Sequence, residues 1–125
     1  MMGSIDLHVH STASDGTLTP AEIVDMAERR AIEVIALTDH DTVAGVDEAL
    51  ERAAGTRVRV IPGVEISADD EGVQAHVLGY FINHTDASLV SELRRFSEAR
   101  LDRAYCILEK LHALGISLPS EQLGD

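Results

Sequence analysis

Six residues in the first two thirds of the chain have side chains suited to divalent cations: His8, His10, Asp15, His40, Glu65 and His76. His8 and His10 lie two apart in the alternating run Ile5 to His10, so as a strand both imidazoles leave one face and reach a single cation. Two surface histidines on a sheet edge would share that spacing. Asp15 lies in the polar string Ser11-Thr12-Ala13-Ser14-Asp15-Gly16, as a turn aspartate before glycine that also brings a hard carboxylate oxygen toward the same pocket. Asp39-His40-Asp41 follows the apolar run Val34 to Leu37, at the strand end where open α/β sheets and barrels keep their ligands. There His40 is the expected ligand and Asp39 a carboxylate that orients an imidazole through its other ring nitrogen. Asp41 or Thr42 is expected to cap the next helix.

Glu65 sits in Gly63-Val64-Glu65-Ile66-Ser67, where an unpaired carboxylate would be costly to bury and a cation would remove the cost. His76 opens the next strand; taken singly, a core histidine satisfied by a carbonyl is the alternative. His84, in a polar turn, and His112, in the last turn of a helix where a cation suits the dipole, are set aside as ligands.

The elements that must position these groups follow from the periodicity. Ile5, Leu7 and Val9 alternate with Asp6, His8 and His10 as in a strand. Thr19-Pro20-Ala21-Glu22 is a helix start with a capping box, continued by Ile23, Met26, Ala27 and Arg30. Val34 to Leu37 is a buried strand, Val43 to Ala54 a helix closed by Gly55, and Val58 to Ile61 the start of a third strand. The order βαβαβ implies a parallel α/β sheet. Only Ala68 to Gln74 separates Glu65 from His76, too little for a parallel crossover of roughly a dozen residues. A hairpin is expected instead, placing Glu65 and His76 at one edge. Asp86 to Leu114 is a long helix with Leu89, Leu93, Phe96, Leu101, Ala104, Leu108 and Leu111 as its apolar stripe, ended by Gly115. Residues 116–125 read as the start of a further element.

The chain has 125 residues, 45% hydrophobic and 26% charged, within the range of one folded domain. Without Trp, and with two Tyr and two Phe, its core is aliphatic, as suits parallel strands under helices. Ten Lys and Arg stand against 22 Asp and Glu, a net charge of −12 that argues against an extended nucleic-acid surface. An anionic substrate is compatible with that charge only where metals supply a local positive field. The single cysteine, Cys106, cannot form an internal disulfide and is expected as a buried structural thiol. No apolar run approaches the ~20 residues of a membrane span, and no signal-like segment opens the sequence, so a cytoplasmic protein is expected.

Taken together, Asp6-Leu7-His8-Val9-His10-Ser11, Asp15-Gly16, Leu37-Thr38-Asp39-His40-Asp41, Gly63-Val64-Glu65-Ile66-Ser67 and His76-Val77-Leu78-Gly79-Tyr80 closely resemble the PHP (polymerase and histidinol phosphatase) family. The resemblance implies a distorted (β/α)7 barrel with two or three divalent ions (manganese, zinc, iron or magnesium) at the strand ends. It implies that His8 and His10 bind one ion, Asp15 and His40 a second and His76 a third, with Glu65 bridging. It also implies hydrolysis of phosphate esters by a metal-activated hydroxide. The branch most resembled acts on nucleotide-type phosphates, with histidinol phosphatase a more distant relative.

Residues 1–82 would carry the ligand strands and loops, residues 86–114 the long helix and residues 116–125 an incomplete element. The family's later ligands, a histidine after a helical insertion and an Asp-x-His, have no counterpart among these residues. A barrel of this general kind needs ~250 residues, so the chain is expected to be the N-terminal portion of one. Three readings differ in class: part of a phosphoesterase, weakly active alone; a non-catalytic metal- or nucleotide-binding domain; and a half barrel completed by a second copy, as a homodimer.

Overall fold

The computed structural model describes residues 4–70 and 73–118. Its elements are β1 (Ser4–Val9), α1 (Pro20–Arg29), β2 (Ile32–Leu37), α2 (Val46–Ala53), β3 (Arg59–Asp70), β4 (Val73–Tyr80) and α3 (Ala87–Ala113). The strands form one sheet in the order β1-β2-β3-β4. The first three run parallel, and β4 returns antiparallel to β3. The βαβαβ order and the hairpin are thus both present.

Local chemistry accounts for the element boundaries. Thr19 Oγ1 accepts from the Glu22 N–H at 3.2 Å and Glu22 Oε2 accepts from the Thr19 N–H at 2.9 Å, closing the capping box with Pro20 in the first turn. β3 is a single long strand that changes partner midway. Arg59 to Pro62 pair with β2, and Gly63 to Asp70 pair with β4. Pro62 has no N–H to offer a ladder, which suits a residue at the changeover.

α2 starts later than the expected Val43, and neither Asp41 nor Thr42 caps it; Gly45 is the N-cap and makes no side-chain bond. Asp41 instead adopts a φ of 51° and spends its carboxylate on the Ser67 N–H and Arg100. The Thr42 hydroxyl accepts from the Ala44 N–H at 3.2 Å.

The core lies between the sheet and the pair α1 and α2, where Ile23, Val24, Ala27, Ile35, Leu37, Val46, Ala49 and Val60 pack together. Full burial of one such branched aliphatic side chain contributes about 1.5–3 kcal/mol. That layer gives β2 its buried end and so fixes where residues 38–41 emerge.

α3 is attached differently. Asp86 caps it by accepting from the Leu89 N–H at 2.9 Å, and Leu93 is its buried residue among those described. Phe96, Leu101, Tyr105 and Ile107 are 42–51% exposed, and Cys106 is exposed rather than the buried thiol expected. Helical periodicity does produce an apolar stripe, but it is covered only in part: Leu93 is buried, Ala104, Leu108 and Leu111 are half-buried, and Leu101 is exposed. Gly115 ends the helix with a φ of 81°. Of the further element expected at 116–125, residues 119–125 lie outside the described residues, and 116–118 form no regular element. Among the described residues no helix is long and apolar enough to cross a membrane.

Candidate metal centre

Among the described residues five polar ones, Ser11, Thr38, Asp39, Asp41 and Glu65, are buried at 3% exposure or less. Four belong to segments at the C-terminal side of the strands, and each must find partners, because a buried polar group without them is costly. Asp39 Oδ1 accepts from the Ser11 N–H at 2.7 Å and the Ser14 hydroxyl at 2.6 Å, while Oδ2 accepts from the Ser11 hydroxyl at 2.7 Å. Thr38 donates its N–H to the Val9 carbonyl at 2.8 Å. These bonds bend residues 11–16 back over the end of β1.

Glycine at position 16 is required there: a Cβ would collide with the backbone of His10 and Ser11. The result brings Asp15 Oδ1 to 2.8 Å from His10 Nδ1. His40 is placed by an isolated parallel bridge to Glu65, in which the Glu65 N–H donates to the Asp39 carbonyl at 3.0 Å and the Asp41 N–H to the Glu65 carbonyl at 2.9 Å.

Glu65, 1% exposed, is the hub. Its Oε2 lies 2.8 Å from His8 Nε2, 2.7 Å from His10 Nε2 and 3.7 Å from His40 Nε2, and its Oε1 lies 2.5 Å from His76 Nδ1. Successive imidazole centroids along His8, His10, His40 and His76 are 4.9, 4.6 and 5.1 Å apart. Among the described residues, ligand atoms within 4.8 Å of one another define three groups: His8, His10, Glu65; His10, Asp15, His40; and His40, Glu65, His76.

The donor set can be tested against a cation. His10 Nε2 is buried and has no hydrogen-bond partner although Glu65 Oε2 is only 2.7 Å away. The two atoms are close without the alignment of a hydrogen bond, as expected of groups aimed at a shared third atom. Imidazole nitrogens with carboxylate oxygens and no thiolate fit zinc, manganese or iron better than calcium.

The charges agree with that use. Burial raises the Glu65 pKa, but the His8 hydrogen bond, the His40 charge and the His76 hydrogen bond outweigh it and hold the carboxyl below its ordinary value. Asp15 is lowered in the same way: burial opposes ionisation, and the hydrogen bond and charge of His10, with the charge of His40, prevail. Burial, helped by the charges of His10 and Arg100, lowers the His40 pKa against the upward pull of the Glu65 and Asp15 carboxylates. Its imidazole is therefore neutral at neutral pH, with a lone pair to give, as a metal ligand must be.

All six residues singled out from the sequence come together here. Two details differ from expectation. Asp39 serves the Ser11–Ser14 loop, and among the described residues no imidazole hydrogen-bonds to it. The groups also overlap, with His10 and His40 each shared between two of them. His84 is elsewhere, 2.8 Å from Asp47. Periodicity gave no reason to choose Ser67, Arg100 or Arg103. Ser67, Gln74, Arg100 and Arg103 join Asp15, His40 and His76 around a cavity of about 290 Å³. The available signal was the i, i+3 pair of arginines on α3, which share a helix face.

The fold is an α/β sheet whose histidines and carboxylates gather at the strand ends in groups that could hold metal ions. Residues 6–112 match the PHP domain, and the chain belongs to the PHP family. It is 42% identical over 116 residues to a 5′-3′ exoribonuclease of Haemophilus influenzae, covering 93% of this chain and 42% of that protein. It is 40% identical over 116 residues to a 3′,5′-nucleoside bisphosphate phosphatase of Chromobacterium violaceum, covering 93% and 41%.

Among solved structures it resembles an amidohydrolase from Chromobacterium violaceum, determined with bound sulfate and no metal, at a TM-score of 0.86 and 38% identity over 98% of this chain and 44% of that one. A candidate metal-dependent phosphoesterase from Bifidobacterium adolescentis matches at 0.80 and 34%, over 89% and 39%. The chain spans about two fifths of the length of the curated relatives it matches.

Proposed function

We propose that this chain is the metal-bearing part of a metal-dependent phosphoesterase that hydrolyses nucleotide-type phosphate esters. The observation that carries the reading is the convergence of His8, His10, His40 and His76 on the buried Glu65 carboxylate, with His10 Nε2 left without a hydrogen-bond partner. In this reading residues 1–82 hold the ligands and α3 forms a wall of the site. His8, His10, Asp15, His40, Glu65 and His76 hold two or three divalent ions, of manganese, zinc, iron or magnesium, and Glu65 is shared between ions. Bound there, such ions supply Lewis-acid polarisation of a phosphate ester and a water activated at neutral pH.

The protein's own groups have separate tasks. Glu65 and Asp15, held ionised, keep anionic oxygens in the cluster, and His40, held neutral, keeps its lone pair. Arg100 and Arg103 line the cavity beside His40 and His76, giving a phosphate cationic neighbours in a chain of net charge −12. The names of the relatives, an exoribonuclease and a nucleoside bisphosphate phosphatase, support a nucleotide-type substrate.

The test is elemental analysis of the purified protein together with hydrolysis of a generic phosphodiester and of a nucleoside 3′,5′-bisphosphate, with His40→Ala as control. Metal-dependent turnover that His40→Ala abolishes is the expected result. Metal bound without turnover in the chain and in any longer form containing it would sink the enzyme reading in favour of a binding domain.

A further inference from the structure

Beyond the ligands themselves, the surroundings of His40 have their own architecture. Its Nε2 faces the cluster, 3.6 Å from Asp15 Oδ2 and 3.7 Å from Glu65 Oε2. Its Nδ1 faces away, 3.5 Å from the Ser67 hydroxyl oxygen. That hydroxyl is itself held, since Arg100 Nη2 donates to Ser67 Oγ at 3.0 Å and the Ser67 N–H donates to Asp41 Oδ1 at 3.2 Å. Arg100 also forms an ion pair with Asp41 Oδ2, and the Ser97 hydroxyl donates to the Asp41 carbonyl at 3.1 Å. Asp41, 3% exposed, thereby joins the residues after β2, the far half of β3 and α3 at one point.

We infer that Ser67, held by Arg100 and Asp41, is the positioning residue for His40, fixing its ring with Nε2 toward the metal cluster; the inference rests on the reading of His40 as a metal ligand. The chemistry requires such a residue. An imidazole that gives its Nε2 lone pair to a cation carries its proton on Nδ1, and the hydrogen bond made by that N–H sets both tautomer and ring plane. A hydroxyl has two acceptor lone pairs, and a guanidinium has only donors. Ser67 Oγ therefore accepts from Arg100 with one lone pair and presents the other to Nδ1–H. The role expected of Asp39 from the sequence falls to a serine on another strand. It also makes α3 a determinant of the metal site, although its residues supply none of the clustered ligand atoms.

The experiment compares the full chain with Ser67→Ala, Ser67→Thr and Arg100→Gln, with circular dichroism confirming the fold. Two readouts are used: manganese and zinc affinity by chelator competition, and the tautomer of His40 by nitrogen-15 NMR of the metal-free protein. Ser67→Ala should weaken metal binding about 10–100-fold, the usual size of an outer-shell loss. It should also reduce the Nδ1–H form of His40. Ser67→Thr, which keeps the hydroxyl, should retain both, and Arg100→Gln should fall between. Unchanged affinity in Ser67→Ala, or an unchanged His40 tautomer whatever the affinity, would overturn the inference. If the parent chain binds no metal, the phosphoesterase reading fails, and the tautomer comparison still decides the role of Ser67.

Discussion

Glu65→Gln keeps the side chain's shape and removes the charge on which His8, His10 and His76 converge at 2.5–2.8 Å. In the metal-free protein the change costs little. Two imidazole hydrogen bonds to the carboxylate, from His8 and His76, become bonds to a neutral amide. A bond to a charged group contributes about 1.5–3 kcal/mol against about 1 for a neutral one, and relief of the buried charge offsets part of the loss. The net cost should be about 1–2 kcal/mol.

With metal the difference is larger. Free ion at a hundred times its dissociation constant stabilises the folded state by about 2.7 kcal/mol, which for a domain of this size raises Tm by roughly 10 °C. Glu65 belongs to two of the three ligand groups, so the variant keeps intact only the His10, Asp15, His40 group. Thermal unfolding followed by circular dichroism, with chelator and then with manganese or zinc, should show most of that rise lost in Glu65→Gln. A metal-induced shift equal to that of the parent chain would refute the assignment of Glu65 as the shared ligand.

Three further outcomes follow from the same geometry. Asp39→Ala removes the acceptor for the Ser11 N–H and for the Ser11 and Ser14 hydroxyls. At about 1–3 kcal/mol per donor left unsatisfied, urea unfolding should show a loss of about 3 kcal/mol or more, and a loss under about 1 would contradict the anchoring role. At Gly63 a Cβ would stand 2.8 Å from Thr38 Cγ2 and 2.9 Å from the Leu37 carbonyl oxygen. Gly63→Ala should therefore cost about 1–3 kcal/mol, as overpacking does, and an equal urea midpoint would show that β2 and β3 separate freely.

Stability should also depend on pH in a fixed sense. His40 has a folded-state pKa below its ordinary 6.5, so the unfolded chain takes up that proton first, and stability is lost as pH falls from about that value toward the folded one. The contributions of Glu65 and Asp15 are present above their ordinary 4.5 and 3.8 and lost as pH falls toward their lowered folded values. Metal-free His40→Gln should accordingly lose less stability between pH 7 and 5.5 than the parent, measured by urea midpoints. An equal or greater loss would contradict the lowered His40 value.

The sequence alone determined the features that depend on near neighbours. Alternation from Ile5 to His10 put two imidazoles on one face of a strand. The run Val34 to Leu37 placed His40 at a buried strand's end, the Thr19–Glu22 box started α1, and the short span between Glu65 and His76 required a hairpin. Each follows from a period or a loop length, which a few consecutive residues contain.

The choice of partner was decided by tertiary structure. His8 and Glu65 are 57 positions apart and Arg100 and Asp41 are 59 apart, and neither pairing has a local signal. Asp39 read as an imidazole's partner because of its type. It became the anchor of the Ser11–Ser14 loop because that loop folds back within 2.7 Å of it. Cys106 read as buried because its neighbours have helical periodicity, and it is exposed because it lies off the stripe of Leu101, Ala104, Leu108 and Leu111. Periodicity fixes which face of an element is apolar. What meets that face, and which buried carboxylate a histidine finds, depends on segments brought close only by the packing of the sheet.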